Sequence, residues 1–170
     1  MYFFTADEHY GHRNIIKYCR RPFDDTREMD YEITKRHNSV VGADDIVIHG
    51  GDLTLANRII AERYITELNG KHFFLKGSHD AWLSESAREI WEKKISGQPI
   101  IVCHYAMRVW SKSHYGSWQL YGHSHGNLEP IGKQWDIGVD NNDFYPVSFE
   151  QIVKIMKDRP DNPNFIGDKR

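Results

Sequence analysis

Cysteine is scarce in this chain. Only Cys19 and Cys103 occur among 170 residues, and neither belongs to a CxxC pair. That excludes a zinc-ribbon framework and fits a reduced, cytoplasmic setting better than a disulfide-stapled one. Long apolar runs are also lacking: none approaches the roughly 20 residues of a membrane helix. The opening MYFFTADEH turns acidic too soon for a secretory signal. Positive charge is not in surplus, with 22 Lys and Arg against 24 Asp and Glu. A dedicated duplex nucleic-acid binder is therefore disfavoured. A nucleic-acid enzyme stays open, because bound divalent metals would add local positive charge. There is no internal repeat and no low-complexity linker.

What is present is ordinary soluble-domain composition, 39% apolar and 27% charged. A chain of this length suits one domain that buries about 70% of its unfolded surface without staples. We expect that domain over residues 1–158 and a loose C-terminal tail over 159–170, where Pro160 and Pro163 fall.

Short apolar runs alternate with helical patterns. Strands are expected over 1–5, 45–50, 72–76, 118–122 and 134–139, and a hairpin around Gly97 over 93–104. Helices are expected over about 26–38, over ANRIIAERYITEL with Thr54 as cap, over a short stretch from Ser84 to Trp91, and over 148–158. The last begins with a capping box, Ser148 and Gln151. Strand–helix alternation followed by β-rich sequence points to a layered α/β domain, parallel first and mixed later. Ligands in such sheets bind where loops leave the carboxyl ends of strands.

Five successive strand ends carry Asp7 and His9, then Asp52, then His79, then His104, then His123 and His125. Each taken singly is ordinary turn chemistry. Five in register point to metal ligation, and imidazole with carboxylate suits Mn, Fe, Zn or Ni. Seven such groups are too many for one ion and about right for two. Asp52 follows Gly50 and Gly51, which let backbone crowd the site, so its short carboxylate is placed to bridge. In GHSH, His123 and His125 would share a face of an extended segment and reach both ions. Serine, histidine and aspartate at 78–80 are neighbours in sequence and so cannot converge as a hydrolytic relay.

In order along residues 1 to about 150, DEH (7–9), GD (51–52), GSHD (77–80), a lone His104 and GHSH (122–125) resemble the motifs of the calcineurin-like metallophosphoesterase superfamily. The stretch GHRNIIKYCRRPF (11–23) looks like a small bacterial or phage branch of predicted phosphoesterases. The resemblance implies a four-layer αββα sandwich with mixed sheets. It implies two divalent transition metal ions, manganese favoured. Asp7, His9, Asp52 and His125 would hold one, and Asp52, Ser78, His104 and His123 the other. His79 would be the general acid and Asp80 its orienting partner. The family has Asn where this chain has Ser78, whose shorter neutral hydroxyl is a poorer ligand and makes the second ion the weaker one.

The activity this implies is hydrolysis of phosphodiesters or phosphomonoesters of small or nucleotide substrates, with no membrane partner. Water activated between the ions attacks phosphorus in line, and His79 protonates the leaving oxygen. A nuclease, and a non-catalytic scaffold weakened at Ser78, are the alternatives. Substrate contacts are expected from His12, Arg13, Arg21, Arg108, Lys112 and His114, since arginine suits bidentate phosphate contact. Segment 106–118 lies between two ligand motifs and should border the site, with Trp110, Tyr115 or Trp118 available for base stacking. Trp82 and Trp91 are expected in the core.

Overall fold

The apolar runs at Tyr2–Thr5 and Ile46–His49 are buried beyond their first residue, whereas Lys71–Phe74, at the sheet edge, alternates exposed and half-buried residues. The computed structural model describes residues 1–167. Its first half runs β1 (Tyr2–Thr5), α1 (Arg13–Tyr18), α2 (Thr26–Val40), β2 (Ile46–His49), α3 (Arg58–Thr66) and β3 (Lys71–Phe74). The second half runs β4 (Ile90–Ile95), β5 (Gln98–Cys103), β6 (Trp118–Tyr121), β7 (Gln134–Asp136), β8 (Val147–Ser148) and α4 (Phe149–Asp158). One sheet has the order β3-β2-β1-β8 and the other β4-β5-β6-β7. In the first, β1, β2 and β3 are parallel and β8 is antiparallel. In the second, β4 and β5 form an antiparallel hairpin and β5, β6 and β7 are parallel. The mixed α/β architecture with two mixed sheets is the one the sequence leads one to expect.

Alternation along the strands divides the core. Phe4 and Ile48 share one buried cluster with Ile100, Val102 and Leu120 of the second sheet. Phe3 and Val47 turn to the other face and meet Val41. Each such side chain contributes roughly 1.5–3 kcal/mol by leaving water. Met29 and Ile33 of α2 pack in a separate cluster with Tyr10, Phe23 and Leu68. Helix α4 packs against β8, β1 and β7 and sends Ile152 and Met156 into the inter-sheet cluster. Its capping box is formed as expected. An isolated bridge, Ala6 to Gly138, ties the two sheets together at the strand ends.

Four expectations change. No helix runs from Ser84 to Trp91. Six residue pairs of β4 with β5 claim Ile90–Ile95 as strand, and Trp91 packs there against Tyr2 and Phe4. Cross-strand pairing thus overrides local propensity. The hairpin turns through Ser96 and Gly97, both at positive φ, which suits a two-residue loop. Helix α3 is capped by Asn57, whose side chain accepts from the Ile60 amide. Thr54 instead donates to the Tyr10 carbonyl. The C-terminal segment is not loose as far as it is described. Arg159 donates to the Gly132 carbonyl, Asn162 to those of Ser113 and Ser117, and the Ile166 amide to His114. The end of the expected 159–170 tail, residues 168–170, lies outside the described residues. Trp82 is only partly buried, its ring against Phe74.

Candidate metal centre

The carboxyl ends of β1, β2, β5 and β6 converge, and their following residues are knitted by backbone bonds. Asp7 N donates to Gly51 O at 3.0 Å, His9 N to Asp52 O at 3.1 Å and Gly122 N to His104 O at 3.0 Å. The approach is close enough to require glycine. A Cβ on Gly51, which sits at φ +106°, would lie 2.7 Å from His104 Nδ1, and one on Gly77 would overlap the Asp52 carboxylate.

Two donor sets result. Asp7, His9 and His125 each offer a ligand atom within 4.8 Å of the others, and so do Asp52, His104 and His123. They contain the Asp and His residues of the two sets that the family resemblance implies, with Asp52 grouped in the second and Ser78 in neither. Asp52 Oδ2 stands 3.3 Å from His104 Nε2 and 3.7 Å from His9 Nε2, between the sets. Within each set the imidazole rings lie close, His9 5.3 Å from His125 and His104 5.1 Å from His123.

Backbone strain marks the same residues. Asp7, His9, Asp52, His123 and His125 have φ between 47° and 66°. A non-glycine residue there costs on the order of 1 kcal/mol or more, and such costs collect at functional sites. His123 and His125 are therefore not on an extended segment as expected. Two left-handed residues around Ser124 turn the chain so that one imidazole joins each set.

Unpaired polar atoms mark it again. Asp7 Oδ1, both ring nitrogens of His9 and Nε2 of His104 are buried without a hydrogen-bond partner. Buried polar atoms in a folded protein are nearly always paired. Their concentration on three residues of the two donor sets, one ligand atom from each, is what a cation's ligands look like. The electrostatics agree. Burial, with the Asp136 and Asp52 carboxylates nearby, pushes the Asp7 carboxyl well above its usual range. Burial pushes His9 down to about 3, and burial with His104 lowers His123. Burial opposes the charge on Asp52, yet His104 and the His79 amide hold its carboxyl well below the usual range. Neutral imidazoles and an ionised Asp52 are the protonation states that metal binding needs, while Asp7, whose charge is opposed by burial and by neighbouring carboxylates, would gain its charged form from a cation placed beside it.

A third overlapping set, Cys19, His125 and Asp140, also lies within 4.8 Å. Both Asp140 oxygens are already engaged there by Arg21 and His125.

Other expected site residues fall differently. Ser78 Oγ donates to Asp52 Oδ2 at 3.0 Å. Asp80 does not orient His79. Its carboxylate accepts from the amides of Asp52, Leu53 and Gly77 and from the Trp82 indole, so it shapes the backbone under Asp52. His79 stands at the cleft mouth, its side chain 44% exposed and Nε2 4.0 Å from Asp52 Oδ2. His12 lines the cleft with a buried, unpaired Nδ1. Arg13 and Arg108 are exposed and line no part of it. Segment 106–118 does not border the cleft either. Trp110 is buried because its indole N–H finds the Ser117 carbonyl inside, so it is not free to stack on a substrate. Lys112 pairs with Glu92, and Trp118 packs against the inter-sheet core.

Three supporting residues lie outside the five strand ends, and one of them, Arg21, is expected at the substrate but has its guanidinium taken up inside the fold. Arg21 is buried and donates to the carbonyls of Asp7 and Glu8 and to both oxygens of Asp140. Asp140 accepts from His125 Nδ1. Asp136 accepts from Ser124 Oγ and the amides of Gly126 and Gly138, fixing the GHSH turn. Both aspartates lie at the end of β7, a sixth strand end that the same rule reaches.

No family model matches the chain. The uncharacterized protein MJ1445 of Methanocaldococcus jannaschii is 34% identical over 164 residues, 91% of this chain and 90% of its own length. Among solved structures, the protein of unknown function AQ665 from Aquifex aeolicus superposes with a TM-score of 0.73 at 22% identity, covering 91% of this chain and 98% of that one, a likeness of fold. A predicted phosphoesterase from Streptococcus pneumoniae overlaps at a TM-score of 0.42 and 16% identity, over 73% of this chain and 62% of its own, and a likeness that distant says nothing of activity.

Proposed function

We propose that this chain, which belongs to the family of the uncharacterized protein MJ1445 of Methanocaldococcus jannaschii, is a binuclear metal-dependent phosphoesterase of the calcineurin-like type. The observation that carries this reading is the single carboxylate oxygen, Asp52 Oδ2, lying between two sets of buried imidazole and carboxylate donors.

Asp7, His9 and His125 would hold one ion and His104 and His123 the other, with Asp52 shared. When bound, two divalent ions supply an acidified water and positive charge for the phosphoryl oxygens. The chain's own residues do the rest. Asp80 and the amides around it fix Asp52 in its strained conformation. Arg21 and Asp140 fix the tautomer of His125. His79 Nε2–H, at the mouth, donates its proton to the leaving oxygen as the phosphorus–oxygen bond breaks. Manganese is the ion we favour and a cytoplasmic setting the one we propose.

The reading is tested by hydrolysis of bis-p-nitrophenyl phosphate and p-nitrophenyl phosphate with and without added manganese, beside metal analysis of the same sample. Metal-dependent turnover supports it, and turnover that survives a chelator contradicts it. A second reading, a metal-binding scaffold without turnover, is favoured by Ser78 alone, whose hydroxyl takes a lone pair of the shared oxygen. Bound metal with no hydrolysis of either compound is its signature.

A further inference from the structure

The metal centre forms only one side of its cleft. The cavity, about 550 Å³, is also lined by the apolar side chains of Ile15, Tyr18 and Leu55. Ile15 is buried, but Tyr18 and Leu55 are 74% and 46% exposed, although both border a polar site. Local structure holds them there. Tyr18 ends α1, where the Cys19 amide bonds back to Ile15 O at 2.9 Å. Leu55 follows Thr54, whose hydroxyl donates to Tyr10 O, while the Tyr10 amide bonds Leu53 O at 2.9 Å. The apolar wall is thus built on the same backbone that places His9 and Asp52.

Charge is the second observation. No lysine or arginine lines this cleft among the described residues, even though Arg13, Lys17 and Arg20 are on or beside α1. Two bound ions would supply positive charge only at the reacting phosphate, whereas a polyanionic ligand, such as a nucleoside triphosphate or a nucleic-acid strand, requires further cations along its path. Its remaining neutral polar groups are Asn14, Asn127 and the free Nδ1 of His12.

Resting on the phosphoesterase reading, we infer that the ligand of this cleft is a phosphodiester carrying a single negative charge, with a flat, largely apolar substituent seated between Tyr18 and Leu55. An aromatic side chain at such a wall offers a face for stacking, with few rotamers to freeze. The phosphate faces the imidazoles and the ring faces the wall. Hydrolysis then adds water across one phosphorus–oxygen bond, with the proton from His79 leaving on the departing oxygen and no change of oxidation state.

The test has a binding arm and a turnover arm, both on the full chain with manganese. Calorimetry compares diphenyl phosphate with dimethyl phosphate, and kinetics compares bis-p-nitrophenyl phosphate with methyl p-nitrophenyl phosphate, which share a leaving group. We expect the aryl compound to be favoured in each pair. The double variant Tyr18→Ala, Leu55→Ser should shrink that preference roughly 5-fold or more, through Kd and KM, while Tyr18→Phe keeps it. A preference unchanged in the double variant, or tighter binding of p-nitrophenyl phosphate than of either diester, overturns the inference. Aryl-selective, wall-dependent binding without turnover would uphold the wall and sink the phosphoesterase reading. Turnover without aryl selectivity would do the reverse.

Discussion

Asp140 Oδ2 accepts the Nδ1–H of His125 at 2.7 Å while the same carboxylate takes Arg21 Nε and Nη2 at 2.8 Å each. A carboxylate cannot donate, so the ring proton sits on Nδ1 and Nε2 is left as the ligand atom. Arg21 in turn holds the carbonyls of Asp7 and Glu8, so one guanidinium braces the backbone of one ligand and the carboxylate behind another.

Asp140→Asn should therefore weaken metal binding at the Asp7, His9 and His125 set by about 10–100-fold. Binding at the other set should change much less. Arg21→Lys should give a similar loss, because an ammonium cannot reproduce the bidentate contact. Two-site calorimetric titration with manganese is the measurement. Equal affinities in Asp140→Asn and the parent would show that the contact is only structural.

Ser78→Asn should strengthen the Asp52, His104 and His123 set. The serine hydroxyl now bonds to Asp52 Oδ2, the oxygen closest to His104, and adds no ligand that reaches past it. An amide oxygen would supply a ligand and release that lone pair, an effect comparable to the 10–100-fold changes seen when a metal site's supporting groups are altered. Titrating activity with metal in both proteins decides it. A serine form that saturates at equal or lower metal means the hydroxyl suffices.

His79→Ala should keep both ions and lower kcat by about 10²–10⁴-fold. Its ring is exposed at the mouth and belongs to neither donor set. Loss of an ion from this variant would reassign His79 as a ligand.

Stability should fall on acidification through a separate histidine cluster. His37 is buried with Nε2 beside the Asn69 carbonyl, and burial holds it at about 4. Burial likewise holds His72 at about 4, with His49 next to it at 2.9 Å. In the unfolded chain a histidine titrates near 6.5. Both are neutral in the fold, so the unfolded state binds more protons below that value. The stability from keeping them neutral is complete above about pH 6.5 and drains as pH falls toward about 4. Urea midpoints across that range, measured in chelator, should decline with pH, and more gently in His37→Asn. A flat profile in the parent contradicts the assignment.

The sequence discloses most of what strand ends can disclose. Asp7, His9, Asp52, His104, His123 and His125 each follow a short apolar run, and the structure brings them together in the two sets their motifs suggest. Contacts set by pairing between segments rather than by local pattern are less legible. Trp91 lies in a strand because β5 is its partner, and Trp110 is inside because Ser117 offers a carbonyl. Neither fact is written near the tryptophan. Asp80 serves Asp52 rather than its neighbour His79, since the turn at 77–80 folds back on the backbone of residues 52 and 53. Arg21 and Asp140 are separated by 119 residues, and no local pattern joins them.

The central claim is that Asp52 is shared by two ions that drive hydrolysis. It is tested most directly by manganese stoichiometry of the parent and of Asp52→Ala, measured beside hydrolysis of bis-p-nitrophenyl phosphate. The predicted result is two ions per chain in the parent, with turnover that disappears in chelator. In Asp52→Ala both sites weaken together and turnover is lost. One ion per chain in the parent, or an Asp52→Ala variant that keeps two ions and its activity, would contradict the account.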